Sequence, residues 1–189
     1  MDLYDQNGAR LYLTTDERER FRVAALDAPR SARTFCLTLL YTGCRISEAL
    51  ELVASRIDFD NQALTFRTLK KRGDKPHYRA IPVPTSLLDA LDMVHGIKEH
   101  QSAPQARLWP WSRPTGWTRV KEVMAAADIK GVQASPKGLR HAYGVHAVLN
   151  AVPLNVLRNW MGHADIETTA IYCQVIGAEE RELAARMWT

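Results

Sequence analysis

Apolar residues recur at helical spacing over most of this chain, and one central stretch replaces that rhythm with alternation. Thr14-x-x-Glu17 is a capping-box pattern, predicting a helix to about Ala28 with Phe21, Ala24, Ala25 and Leu26 apolar and Pro29 ending it. A second helix, about Ser31 to Tyr41, is apolar nearly all round (Phe35, Leu37, Leu39, Leu40), which predicts a central position. Gly43 breaks the chain, and Ile46, Ala49, Leu50 and Val53 then resume helical spacing. From Arg56 to Val83 the period is two. Ile57 and Phe59, then Leu64, Phe66 and Thr68, then Tyr78, Ala80 and Ile81 predict three short antiparallel strands, turned at Asp60-Asn61 and Arg72-Gly73-Asp74-Lys75.

Helical spacing returns from Pro84 to about His100, with Leu87, Leu88, Leu91 and Val94 inward, and from Trp117 to Ala127, with Trp117, Val120 and Met124 on one face. The loop between them holds Trp109 and Trp111 among prolines, and its tryptophans read as core anchors. Ser135 as N-cap and Pro136 at the first helical position open the next helix, whose apolar face carries Leu139 and Tyr143. Leu154 to Met161 is helical, Asp165 suits the N-cap of a short helix bearing Ile171 and Tyr172, and Ala178 to Trp188 is amphipathic. Residues 1–13 carry few signals and read as an arm. The sum is an α+β fold, mainly α, with a small three-stranded antiparallel sheet.

At 189 residues the chain suits one domain with its own core. No apolar run approaches the roughly 20 residues of a membrane span, and the N-terminus is not a signal peptide. Cys36, Cys44 and Cys173 are odd in number and lack metal-ligand spacing, which points to a reduced, cytoplasmic protein. The net charge of +4 is compatible with nucleic-acid binding without requiring it.

The chemistry concentrates near the C-terminus, where His163 and Tyr172 stand nine residues apart across a helix break. Ionising a tyrosine at pH 7 costs about 4 kcal/mol, so a site that uses one as nucleophile must supply cations, a base, or both. Cations lie upstream. Arg45 opens a helix whose positive terminus disfavours it, with Glu48 within i,i+3 reach. A surface ion pair and an arginine held for an anion both account for that. Lys137, Arg140 and His141 fall at i, i+3 and i+4 on one helical face, where they oppose one another unless an anion joins them. Lys70, Lys71, Arg72, Lys75 and Arg79 cluster at one hairpin tip, either as a solvated basic loop or as one presented to a phosphate backbone.

Thr42-Gly43-x-Arg45-x-Ser47-Glu48, a hairpin lysine, Leu139-Arg140-His141, and Met161-Gly162-His163 with Ile171-Tyr172 resemble the catalytic domain of tyrosine recombinases of the phage-integrase family. The resemblance runs from about residue 14 to 176, leaving 1–13 as an arm and 177–189 as a C-terminal helix of the kind that family exchanges between protomers. It implies site-specific cutting and rejoining of double-stranded DNA through a 3′-phosphotyrosine, with no metal or other cofactor. The setting would be a homo-oligomer on DNA, nucleoid-associated, with accessory DNA-bending proteins in some systems. By position, Arg45 and Arg140 would clamp the scissile phosphate, Lys70 (favoured over Lys71 by strand register) would protonate the leaving 5′-oxygen, Tyr172 would attack, and His163 would bond the phosphate or orient the site. Glu48 and His141 would support them, and Lys71, Arg72, Lys75 and Arg79 would face DNA.

The sequence departs from that family in two ways. Lys137 stands where most members carry histidine, which leaves the general base open among Lys137 and, to a lesser degree, His141. The helical DNA-clamping domain that usually precedes the catalytic one is represented at most by a short arm. Two other functions compete: a DNA-binding regulator of the same fold without chemistry, and a type IB topoisomerase-like enzyme. Competent residues at all the expected positions disfavour the former. Small size and the Thr-Gly-x-Arg-x-Ser-Glu motif disfavour the latter.

Overall fold

A computed structural model of the chain describes residues 2–68, 77–99, 104–174 and 178–188. Two long antiparallel helices start it. Helix α1 (Thr15–Asp27) carries the predicted capping box, with the Glu17 amide donating to Thr14 and the Thr14 amide to Glu17. Helix α2 (Arg30–Thr42) buries nine of its residues and is the central element, packed against α1 and four later helices. It stops at Gly43, whose left-handed φ of 57° and close approach to the Tyr143 ring admit only glycine. Helix α3 (Ile46–Leu50) is shorter than the spacing predicts, because the chain turns out at Glu51 to reach the sheet while Val53 stays buried outside the helix.

Strands β1 (Ile57–Asp58), β2 (Ala63–Thr68) and β3 (His77–Pro82) form the antiparallel sheet in sequence order. In β2, Leu64, Phe66 and Thr68 point inward as expected. In β3, Ile81 faces in as expected, but Tyr78 and Ala80 face out and Arg79 faces in. Helix α4 (Thr85–His95) ends early at left-handed Gly96. Helix α5 (Arg113–Ala126) begins a turn before Trp117, capped by Ser112, and its buried face runs through Gly116, Val120, Val123 and Met124, which leaves Trp117 at the edge of that face with 47% exposure instead of in the core. Trp109 is the buried anchor, donating its indole N–H to Ser31 and Thr34 of α2.

Helix α6 (Pro136–Leu149) lies across α2, followed by α7 (Leu154–Met161), the four-residue α8 (Glu167–Ala170), a 3₁₀ turn over Ile171–Cys173, and α9 (Ala178–Ala185). Ile166, not Asp165, immediately precedes α8. Residues 2–13 are not a loose arm. They fold back through a Tyr4–Arg10 bridge, and Leu3 and Tyr12 are buried in an apolar cluster with Leu157, Met161 and Tyr172. The larger core, centred on α2, fills the other half. Among the described residues no helix is long and apolar enough to cross a membrane.

Candidate functional site

Arg45 sits at the N-cap of α3, fixed there by Glu48. One carboxylate oxygen of Glu48 accepts the Arg45 amide at 2.9 Å and the other accepts its guanidinium at 2.8 Å. The ion pair leaves Arg45 partly exposed while Glu48 is fully buried. A second arginine reaches the same carboxylate from β3: Arg79 donates to Glu48 at 2.6 and 3.4 Å, to Thr68 Oγ1 at 3.0 Å and to the Trp160 carbonyl at 2.7 Å. Burial alone would raise the Glu48 carboxyl, but Arg79 and Arg45 outweigh it and hold the group below the usual carboxylate range.

Helix α6 starts as its sequence dictates, with Ser135 Oγ accepting the Gly138 amide at 3.1 Å. One turn in, Arg140 is buried with 5% exposure. It donates to the carbonyls of Gly43 (2.6 Å) and Met161 (2.8 Å) and bonds His163 Nε2 at 2.9 Å. Its Nε has no partner among the described residues. Burial, then the neighbouring Arg45, pushes its pKa down to about 10. Left-handed Gly162 turns the chain after α7 and delivers His163 to this guanidinium. The other ring nitrogen, Nδ1, lies 2.9 Å from Thr169 Oγ1. Burial together with Arg140 and Arg45 lowers the His163 pKa to about 3, so its ring is neutral.

The Tyr172 ring stacks on His163 (centroids 6.3 Å apart, planes 16° apart) and meets His141 at 5.9 Å. It is wholly buried, and its hydroxyl has no hydrogen-bond partner among the described residues. Gly144 of α6 makes the room, since a Cβ there would lie 2.5 Å from the ring. Burial raises the Tyr172 pKa to about 12 against the pull of Arg140 and Arg45. In this state the phenol is a withdrawn, protonated group.

Arg45, Lys137 and Arg140 line one cleft of about 430 Å³ together with Arg113 and Trp117. His163 and Arg79 line a second, of about 570 Å³, between β3 and α7. The structure therefore gathers Arg45, Glu48, Lys137, Arg140, His163 and Tyr172. It splits the expected basic face of α6: Lys137 is exposed, but His141 is fully buried with neither ring nitrogen partnered among the described residues, and burial lowers its pKa to about 4. Arg79 requires a correction. It does not stand at the hairpin tip but is buried at 7% exposure in the Glu48 pair, because β3 turns residues 79 and 81 inward. Lys70, Lys71, Arg72 and Lys75 lie outside the described residues. Sequence reasoning missed Thr169, which carries no signal of its own, and the inward Arg79, which the alternation Arg79, Ile81, Val83 could have revealed.

Residues 12–178 match the phage integrase family. Tyrosine recombinase XerA of Thermococcus onnurineus is 27% identical over 172 residues, 86% of this chain and 57% of that protein. The chain spans about half to three-fifths of the length of the curated relatives it matches. The fold is similar to that in the crystal structure of XerA recombinase, with a TM-score of 0.79 and 23% identity over 93% of this chain and 64% of that one. It is also similar to XerH site-specific recombinase bound to its difH substrate, with a TM-score of 0.75 and 18% identity over 98% of this chain and 60% of the other.

Proposed function

The chain belongs to the phage integrase family, and from that premise we propose that it cuts and rejoins double-stranded DNA at specific sites through a phosphotyrosine. The observation that carries this reading is the meeting of Arg45, Arg140, His163 and Tyr172, drawn from four elements, in one bonded and stacked group. Arg45 and Arg140 offer forked donors to two non-bridging phosphate oxygens and gain strength as charge builds there. Lys137 adds a donor on the cleft wall, and Lys70 protonates the leaving 5′-oxygen. Tyr172 Oη gives up its proton to a general base, Lys137 or, to a lesser degree, His141, and forms the new bond to phosphorus as the bond to that oxygen breaks. Before it does, the 3₁₀ turn must carry the hydroxyl out of its apolar pocket. The tyrosine recombinase names of its relatives and the DNA-bound state of XerH support the assignment. A homo-oligomer on DNA in a nucleoid setting, with accessory bending proteins, completes the proposal.

The test is covalent trapping on a nicked duplex carrying a site selected by binding, comparing wild type with Tyr172→Phe on a denaturing gel. A protein–DNA band lost in the variant supports the reading. The buried Tyr172 hydroxyl gives one competitor a foothold, a DNA-binding regulator without chemistry. Specific binding with no covalent band would establish that competitor.

A further inference from the structure

Resting on the recombinase reading, we infer that Thr169 is a positioning residue that holds His163 with its proton on Nδ1 and a bare Nε2 facing Arg140. The geometry leaves little choice. A guanidinium has five donors and no acceptor, so at 2.9 Å from Arg140 Nη2 the His163 Nε2 must accept. In a neutral ring the proton is then on Nδ1, and Thr169 Oγ1 is the oxygen 2.9 Å away that receives it. Both residues are buried, Thr169 completely, so a lost acceptor is not replaced by bulk water. Arg140 selects the tautomer, and Thr169 makes that tautomer affordable and fixes the ring plane against Tyr172.

This has a chemical consequence. His163 meets an incoming phosphate as an acceptor, and it can donate to a phosphate oxygen only after Nε2 takes up a proton. Thr169 also belongs to α8, three residues before Tyr172, so the same hydroxyl ties the histidine to the segment that must move to present the nucleophile.

The test uses the 189-residue chain with ¹⁵N-labelled histidine, the His163 signals being assigned with His163→Gln. Wild type and Thr169→Ser should show a protonated Nδ1 and an unprotonated Nε2, with slow exchange of the Nδ1 proton. The near-isosteric Thr169→Val should speed that exchange about tenfold, the worth of one buried hydrogen bond. It should slow suicide-substrate cleavage by a similar factor while DNA binding is unchanged, and Thr169→Ser should cleave at close to the wild-type rate. A proton on Nε2 in wild type would overturn the inference. So would a valine variant with wild-type exchange, or a serine variant as impaired as valine, which would assign the effect to packing. If wild type forms no covalent adduct at all, the recombinase reading fails, while the nitrogen spectra still decide the role of Thr169.

Discussion

Arg79 and Arg140 are both buried arginines, and they bind consecutive carbonyls, those of Trp160 and Met161 at the C-terminal end of α7. There the likeness stops. Arg79 spends its charge on the Glu48 carboxylate and gives a further donor to Thr68. Arg140 has no carboxylate bonded to it among the described residues: its bonds go to carbonyl dipoles and His163, its Nε has no partner there, and Glu48 acts on it only through space, against Arg45. A buried ion pair is internally complete; a buried cation held by dipoles is still owed an anion. The Arg79 region is scaffold, and on the function proposed above the Arg140 region is the receptor.

The largest effect that could break this contrast is Glu48→Ala. It strands Arg79 without its partner and should cost about 3–5 kcal/mol in urea unfolding. A loss below about 1 kcal/mol would mean that Arg79 needs no partner and is not scaffold. Next comes the pair Arg140→Ala and Arg45→Ala. Both should abolish covalent trapping. Arg140→Ala should also lower stability by about 3 kcal/mol through two orphaned carbonyls, whereas partly exposed Arg45 should cost under about 1 kcal/mol because Arg79 continues to hold Glu48. Equal losses would erase the distinction between the two arginines.

Inorganic phosphate sharpens the same contrast. At about ten times its dissociation constant, an anion bound to the folded state adds roughly 1.4 kcal/mol, which for a chain of this size is a rise of about 3–6 °C in Tm. That rise should vanish in Arg45→Ala, with chloride at equal ionic strength as the control. The smallest effect is Tyr172→Phe. Removing a buried hydroxyl that lacks a partner should leave stability unchanged or raise it by about 1 kcal/mol, while the covalent adduct disappears. A clear destabilisation would show that the hydroxyl is bonded within the folded protein.

Much of the fold was legible because its signals are local. Capping boxes, an N-terminal proline and helix-ending glycines act within a few residues; α1 and α2 begin and end, and α6 begins, close to where those signals place them. Arg45, Arg140, His163 and Tyr172, which the structure brings together, were named from motifs. What failed depends on distant partners. Arg79 was read as a surface cation because the carboxylate that makes its burial tolerable lies 31 residues away. Trp117 was placed inside from spacing alone, although the face that α5 buries runs through Gly116 and Val123 and leaves Trp117 at its edge. Leu3 and Tyr12 gave no periodic signal, since a folded-back loop has no period. Thr169 is invisible for a plainer reason: a threonine announces its role only when its hydroxyl finds a ring nitrogen.

The two carbonyls that Arg140 grips belong to Gly43, where α2 ends, and to Met161, where α7 ends. One guanidinium therefore joins the C-terminal poles of two helices that lie more than a hundred residues apart in the chain. On the function proposed above, this sets the order in which a lineage could lose its chemistry. A descendant under selection only to fold and bind DNA could exchange Tyr172 for phenylalanine at no structural loss, but would keep Arg140 long afterwards. In such sequences the arginine is a record of ancestry, and the tyrosine is the mark of present use.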